Sequence, residues 1–202
     1  ILYDTLGRVV PEGGLPIDVG AIVMNVASVA FLGVYLRTGM PLIRKVVTVD
    51  GRCVKEPKNV RALIGTPLSA LADFCGGLVS EPGKVLMGGP MMGNTVYDID
   101  TPVIKNNNAV LFFDEKQSKE RKTTPCIRCG RCIAACPVYL MPAAIEKAYA
   151  AGNGERLDQL KVNLCMECGC CSYVCPAKRE LVQVNKLAKK LLREKKAGER
   201  HA

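Results

Sequence analysis

Residues 126–137 read CIRCGRCIAACP and residues 165–176 read CMECGCCSYVCP. Aligned, Cys126, Cys129, Cys132, Cys136 and Pro137 fall on Cys165, Cys168, Cys171, Cys175 and Pro176 at a constant offset of 39. Each run is C-x2-C-x2-C-x3-C-P, the spacing that holds [4Fe–4S] clusters. Three thiolates on one tight loop can grip three corners of a cube, and Gly130 and Gly169 let the backbone wrap close. The fourth cysteine, on a departing helix, is aimed away and ligates the other cluster. The spacing therefore assigns Cys126, Cys129, Cys132 and Cys175 to cluster I, and Cys165, Cys168, Cys171 and Cys136 to cluster II. Cys170 is the spare thiol of the second run, because its counterpart in the first is Arg131. Cross-ligation staples the two halves together, so the region is expected to fold poorly without iron.

Zinc is the competing reading. Four-thiolate zinc sites usually join two C-x2-C units across a longer loop. Here four cysteines and a proline close each compact run, twice, which fits iron–sulfur chemistry better. The chain holds eleven cysteines, an odd number ill suited to a secreted disulfide framework. A reducing compartment with thiolates committed to metal is expected.

Composition limits the rest. Hydrophobic residues make up 49% of the chain but Trp is absent, so the core is expected to be aliphatic. The chain opens on Ile1 rather than Met, and is expected to be a piece of a longer polypeptide. Residues 19–36 carry no charge over a length at the lower edge of a membrane span. Asn25 and Ser28 near the middle, with Pro16 and Asp18 just before, favour a buried strand at Ala21–Met24 and a core helix ending near Thr38-Gly39. Net charge is +9, concentrated in residues 178–202, where nine Lys or Arg face Glu180, Glu194 and Glu199. Two oxidised clusters would lower the total to roughly +5. Such a balance suits an acidic protein, an acidic membrane surface or nucleic acid. No Ser/His/Asp set, paired-carboxylate signature or nucleophile motif stands out, so bond-making chemistry is not expected of this chain. The single histidine, His201, is expected to be solvated in the basic tail.

Three zones follow, and together they predict an α+β fold. Residues 1–40 read as an apolar strand-and-helix segment, the tail of a domain whose beginning lies upstream. Residues 41–114 read as a small β-grasp-like domain. Val46–Val49 and Arg52–Val54 are β-prone runs joined by Asp50-Gly51, a tight-hairpin pair. Val60, Ala62 and Ile64 alternate as a half-buried strand. A helix is predicted with Thr66 as N-cap, Pro67 at its first position, Leu68, Leu71 and Phe74 on one face, and Gly76-Gly77 as its stop. Strands follow at Lys84–Met87 and Ala109–Phe113. Residues 115–202 read as mostly helical, with helices at Pro142–Ala151 and Glu155–Leu164. A basic amphipathic helix runs from Leu181, with Val184, Leu187, Ala188, Leu191 and Leu192 on its apolar side.

The whole chain resembles the C-terminal half of the C subunit of the Rnf complex (the RnfC family), the ion-translocating ferredoxin:NAD oxidoreductase. The resemblance rests on Pro11–Pro16 with Val23–Val26, on Val46–Val49 through Lys55–Asn59, on Gly-Gly-Pro-Met-Met-Gly within Met87–Gly93, and on the two cysteine runs. It implies a truncated α/β flavin-binding domain whose C-terminal remnant is residues 1–40, an SLBB β-grasp domain and a two-cluster ferredoxin domain. In that family FMN and NAD(H) bind upstream. Asn25 matches the second of two asparagines near the flavin, while Met24 stands at the first position. Otherwise Asn25 reads as a strand-end cap, and Gly88–Gly93 as a turn with Met91 and Met92 packed inward rather than a phosphate loop.

The implied function is electron transfer between a flavin/NAD(H) site and partner redox proteins, namely other Rnf-type subunits and ferredoxin. Peripheral association with membrane subunits is implied, on the cytoplasmic face of the inner membrane, or else a cytoplasmic location. A soluble homologue linked to cobalamin or amino-acid reduction is the alternative within electron transfer. A zinc-stabilised nucleic-acid-binding module is the alternative outside it, favoured only by charge; nucleic acid is not expected as a partner.

Overall fold

The structure is a computed structural model that describes residues 1–201, with side-chain surroundings through residue 198. The chain divides into two compact units, Ile1–Lys45 and Val46–Ala202. In the first, α1 (Leu2–Leu6) and a 3-10 turn at Pro16–Val19 precede α2 (Val26–Thr38). Ala21–Asn25 forms no strand. Asn25 is consequently a helix N-cap, not a strand-end cap: its Oδ1 accepts the Ala27 N–H at 2.9 Å. Gly39, at φ 66, ends α2 in the left-handed conformation as glycine does after a helix. No residue of α2 is buried, which corrects the expectation of a core helix. Its apolar residues lie all round the helix, and only short helical turns accompany it in this unit. Among the described residues, no helix is long and apolar enough to cross a membrane.

The second unit begins with a five-stranded sheet. Its strands are β1 (Arg44–Asp50), β2 (Lys58–Leu63), β3 (Lys84–Met87), β4 (Asn94–Val96) and β5 (Ala109–Phe113), in the order β2-β1-β5-β3-β4. β1 and β5 run parallel, with Thr48 opposite Ala109, while β3 is antiparallel to both β5 and β4. Period-two alternation places Val47, Val49, Val60, Ala62, Val110 and Phe112 in one core. The helix α3 (Leu68–Phe74) closes that core with Leu68, Leu71 and Ala72. Cys53 and Cys75 are buried there too, and burial raises the Cys75 thiol above its ordinary value.

Three local expectations change. Asp50-Gly51 does not join a hairpin, since Arg52–Val54 makes only an isolated bridge from Val54 to Leu78. Gly51 serves packing instead: at φ 122, a Cβ would lie 2.1 Å from the Phe112 carbonyl oxygen. The N-cap of α3 is Pro67 rather than Thr66, whose backbone is engaged with Val103. Phe74 is 67% exposed, its ring lying beneath the Lys58 ammonium. The strand β4 is too short and polar to have been read from sequence.

The remainder is helical: α4 (Glu115–Ser118), α5 (Arg131–Ala134), α6 (Pro142–Ala150), α7 (Gly154–Gln159), α8 (Cys170–Tyr173) and α9 (Leu181–His201). The predicted helix at Glu155–Leu164 is broken. Lys161, at φ 53, turns the chain between α7 and a 3-10 turn at Val162–Leu164, which drives Val162 into the core. Leu140, Ile145, Leu157, Val162, Ala188 and Leu192 form that core, between α6, α7 and α9. The buried stripe of α9 is Leu181, Asn185, Ala188 and Leu192, so Leu187 faces outward at 39% exposure. The side chain of His201 lies outside the described residues.

Candidate metal centre

The 39-residue repeat extends to backbone conformation. Arg128 and Glu167 have φ 55 and 58, Gly130 and Gly169 have φ 76 and 82, and Tyr139 and Lys178 have φ 53 and 54. Non-glycine residues at such angles cost energy and cluster at functional sites. Gly130 and Gly169 occupy the N-cap positions of α5 and α8. Each short helix carries the third cysteine of its run, Cys132 or Cys171, and the fourth, Cys136 or Cys175, follows its C-cap.

The two runs meet crosswise. Cys126, Cys129, Cys132 and Cys175 line one cavity of about 190 Å³, together with Ile127, Arg128, Met141 and Arg179. Cys136, Cys165, Cys168 and Cys171 line a second of about 20 Å³, together with Val138, Pro142 and Asn185. Thus the structure brings together the same four cysteines in each case that the spacing groups. Asn25 lies in the other compact unit, as a helix cap. Among the described residues, no three His, Cys, Asp or Glu side chains converge on a point that would hold a single ion. A ring of soft thiols around a hollow, with no carboxylate or imidazole among the lining residues, fits a sulfur-bridged iron cluster.

The two cradles differ in their surroundings. Cys126 and Cys129 are exposed, whereas Cys171 is buried. Burial pushes the Cys171 thiol up to about 11, opposed by the Ser172 N–H. Burial likewise raises the Cys132 thiol, opposed by the N–H groups of Ala143, Cys132 and Ile133. These N–H groups favour the thiolate that a metal requires. The Leu140 N–H lies 3.3 Å from Cys136 Sγ, and Asn185 Nδ2 lies 3.5 Å from Cys165 Sγ.

Two ion pairs brace the cradles. Arg179 grips Glu146 with Nε at 2.8 Å and Nη2 at 2.8 Å, and donates from Nη1 to the Thr124 carbonyl. Lys189 is 2.7 Å from Glu167 and donates to the Cys165 carbonyl at 3.0 Å. The neighbouring ammonium holds the Glu167 carboxyl below its ordinary value. Cys170 sits beside Cys168, whose sulfur shares a hydrogen bond with it and raises its thiol. Cys170 does not line the second cavity.

The sheet region reaches the second cradle through its Gly88–Gly93 loop. A Cβ on Gly169 would lie 3.0 Å from the Met91 carbonyl oxygen and 3.2 Å from its Cβ, whereas one on Gly130 would meet nothing within 4 Å. Met91 and Met92 are 42% and 56% exposed, so they are not packed inward; Met91 lies against the cluster loop instead. Sequence reading missed this seat, and missed the Glu146–Arg179 and Asn185–Cys165 pairs. The signal was available in the repeat: carried beyond Pro176, the same offset of 39 pairs Glu146 with Asn185.

Comparison with known proteins finds two domain families in the chain. The SLBB domain family matches residues 46–95, and the 4Fe-4S dicluster domain family matches residues 122–190. The C subunit of the proton-translocating ferredoxin:NAD(+) oxidoreductase complex of Clostridium ljungdahlii is 44% identical over 139 residues, covering 69% of this chain and 30% of that protein. The C subunit of the ion-translocating oxidoreductase complex of Rhodobacter capsulatus is 42% identical over 149 residues, covering 74% of this chain and 29% of that protein. The chain is a homologue of part of this C subunit. The corresponding protein of Methanosarcina acetivorans aligns over 92% of this chain at 39% identity, and the match spans 41% of its own length. The chain therefore spans less than half of each of these relatives. It carries an SLBB domain, an α+β fold and a domain of the 4Fe–4S dicluster family, and its cofactors are iron–sulfur clusters.

Proposed function

We propose that this chain transfers electrons through two [4Fe–4S] clusters as part of a membrane-associated, ion-translocating ferredoxin:NAD(+) oxidoreductase. The observation that carries the reading is the pair of cavities, each lined by three cysteines of one run and the fourth of the other. Cluster I is held by Cys126, Cys129, Cys132 and Cys175, and cluster II by Cys165, Cys168, Cys171 and Cys136. When bound, the clusters supply one-electron redox chemistry. The protein's share is to place the thiols, direct N–H groups at sulfur and exclude water to different degrees. Residues 1–40, 41–114 and 115–202 act as flavin-domain remnant, SLBB domain and cluster domain in this reading.

The exposed Cys126 and Cys129 make cluster I the side nearer solvent. Arg128 lines its cavity, and Arg131 stands exposed at the start of α5. A positive rim around an accessible redox group suits an acidic electron-carrying partner, such as a ferredoxin or another member of the complex. On α9, Lys189 is committed to Glu167 at 13% exposure and Lys190 lies 3.8 Å from Glu194, leaving Lys186 and Arg193 as basic positions for docking to a partner at the cytoplasmic membrane face. FMN and NAD(H) belong to the wider reaction. Asn25 is the flavin candidate of this chain, with its Oδ1 already engaged by Ala27.

Anaerobic iron and sulfide analysis, with EPR of the reduced protein, tests the reading. About eight irons and eight sulfides per chain are expected. A colourless, zinc-loaded protein would refute it.

A further inference from the structure

Asn185 and Asn107 are the two buried polar side chains among the described residues, and Asn185 is only 1% exposed. It sits on the buried stripe of α9, where its neighbours are Leu181, Ala188 and Leu192. An amide there is unfavourable for packing and for helix propensity. Its Oδ1 is buried without a hydrogen-bond partner. A leucine would remove both penalties, so stability does not account for the amide. Its Nδ2 supplies the candidate: the group lies 3.5 Å from Cys165 Sγ and lines the second cavity.

The internal repeat supplies the control. The position equivalent to Asn185 is Glu146, which is bound by both Nε and Nη2 of Arg179 and donates nothing. Hence the second cradle has a buried neutral donor at its sulfur, whereas Glu146, at the matching position of the repeat, does not line the first cavity and instead holds Arg179, which does.

We propose that Asn185 is a positioning residue that raises the reduction potential of cluster II, through its amide N–H to the Cys165 sulfur. A donor at a ligand sulfur stabilises negative charge there, and reduction adds one negative charge to the cluster. The low-dielectric surroundings of a buried amide strengthen that effect. The inference rests on the two-cluster reading above.

Potentiometric titration followed by EPR, on the full chain with iron counted in the same samples, tests it. Asn185→Leu fills the space without a donor, and Asn185→Ala removes the donor with the least risk of overpacking. Either variant that keeps about eight irons should show one of the two potentials lowered, the other unmoved. The expected change is roughly tenfold in the one-electron reduction constant, or about 59 mV. Asn185→Gln, which keeps an amide donor, should restore part of the shift. Unchanged potentials, or equal shifts in both clusters, would overturn the proposal. Loss of cluster II from both donor-less variants would also overturn it, since Asn185 would then be holding the cluster rather than tuning it. A wild-type chain without two clusters would instead refute the two-cluster reading itself.

Discussion

The sheet region and the cluster region of the second unit bury their interiors by different means. The sheet region closes on side chains alone, with Phe112, Leu68, Val47, Val49, Val103 and Val110 fully buried. Around the two cysteine cradles, one of the buried groups consists of Cys171, Cys175, Ala177 and Leu181, with Cys132 packed against it. Two of those four are proposed cluster ligands. In the first region hydrophobic burial is the driving force, at about 25 cal/mol per Å² of apolar surface. In the second, on the proposed reading, metal would complete a core that the side chains leave hollow.

The sharpest way to break this contrast is to remove iron. Chelation should abolish amide protection in residues 126–176 while the sheet strands keep theirs, as read by hydrogen exchange. Equal loss in both regions would show that the sheet depends on the clusters. A single ligand should act almost as strongly: Cys171→Ser should lose about four of eight irons, and Cys170→Ser none. Iron analysis of the two variants decides whether Cys170 is the spare thiol.

The reverse perturbation is Phe112→Ala. It should destabilise the sheet region by about 3–5 kcal/mol, as measured by denaturant unfolding, without changing iron content. A smaller effect sharpens the link between the regions. Gly130→Ala should cost about 1–2 kcal/mol from left-handed backbone strain alone. Gly169→Ala should cost more, because its Cβ would also press on Met91. Thermal stability of the cluster absorbance compares the two.

The cluster region was more legible in sequence than the sheet region, for a physical reason. Ligand spacing is a local rule: the x2-x2-x3 intervals determine which sulfurs share a loop, whatever surrounds them. Sheet order depends on pairings distant in sequence. Nothing near Asp50-Gly51 signals that β1 pairs with β5, or that Gly51 must clear the Phe112 carbonyl. Thr66 and Pro67 set a helix start to within one residue, because capping propensity is tolerant of a shift that Val103 decides. Lys161 broke a helix whose sequence carried no Gly or Pro there. Asn185 was hidden because an amphipathic stripe is read from its leucines, and a buried asparagine looks like an error in the pattern until the sulfur is in view.

Cross-ligation is tested most directly by the EPR signals of three single variants, Cys126→Ser, Cys165→Ser and Cys175→Ser, each reduced anaerobically beside the unmodified chain. Cys175→Ser should perturb the same cluster signal as Cys126→Ser, although Cys175 lies in the run with Cys165. If Cys175→Ser instead perturbs the signal altered by Cys165→Ser, each run holds its own cluster and the crosswise arrangement is wrong.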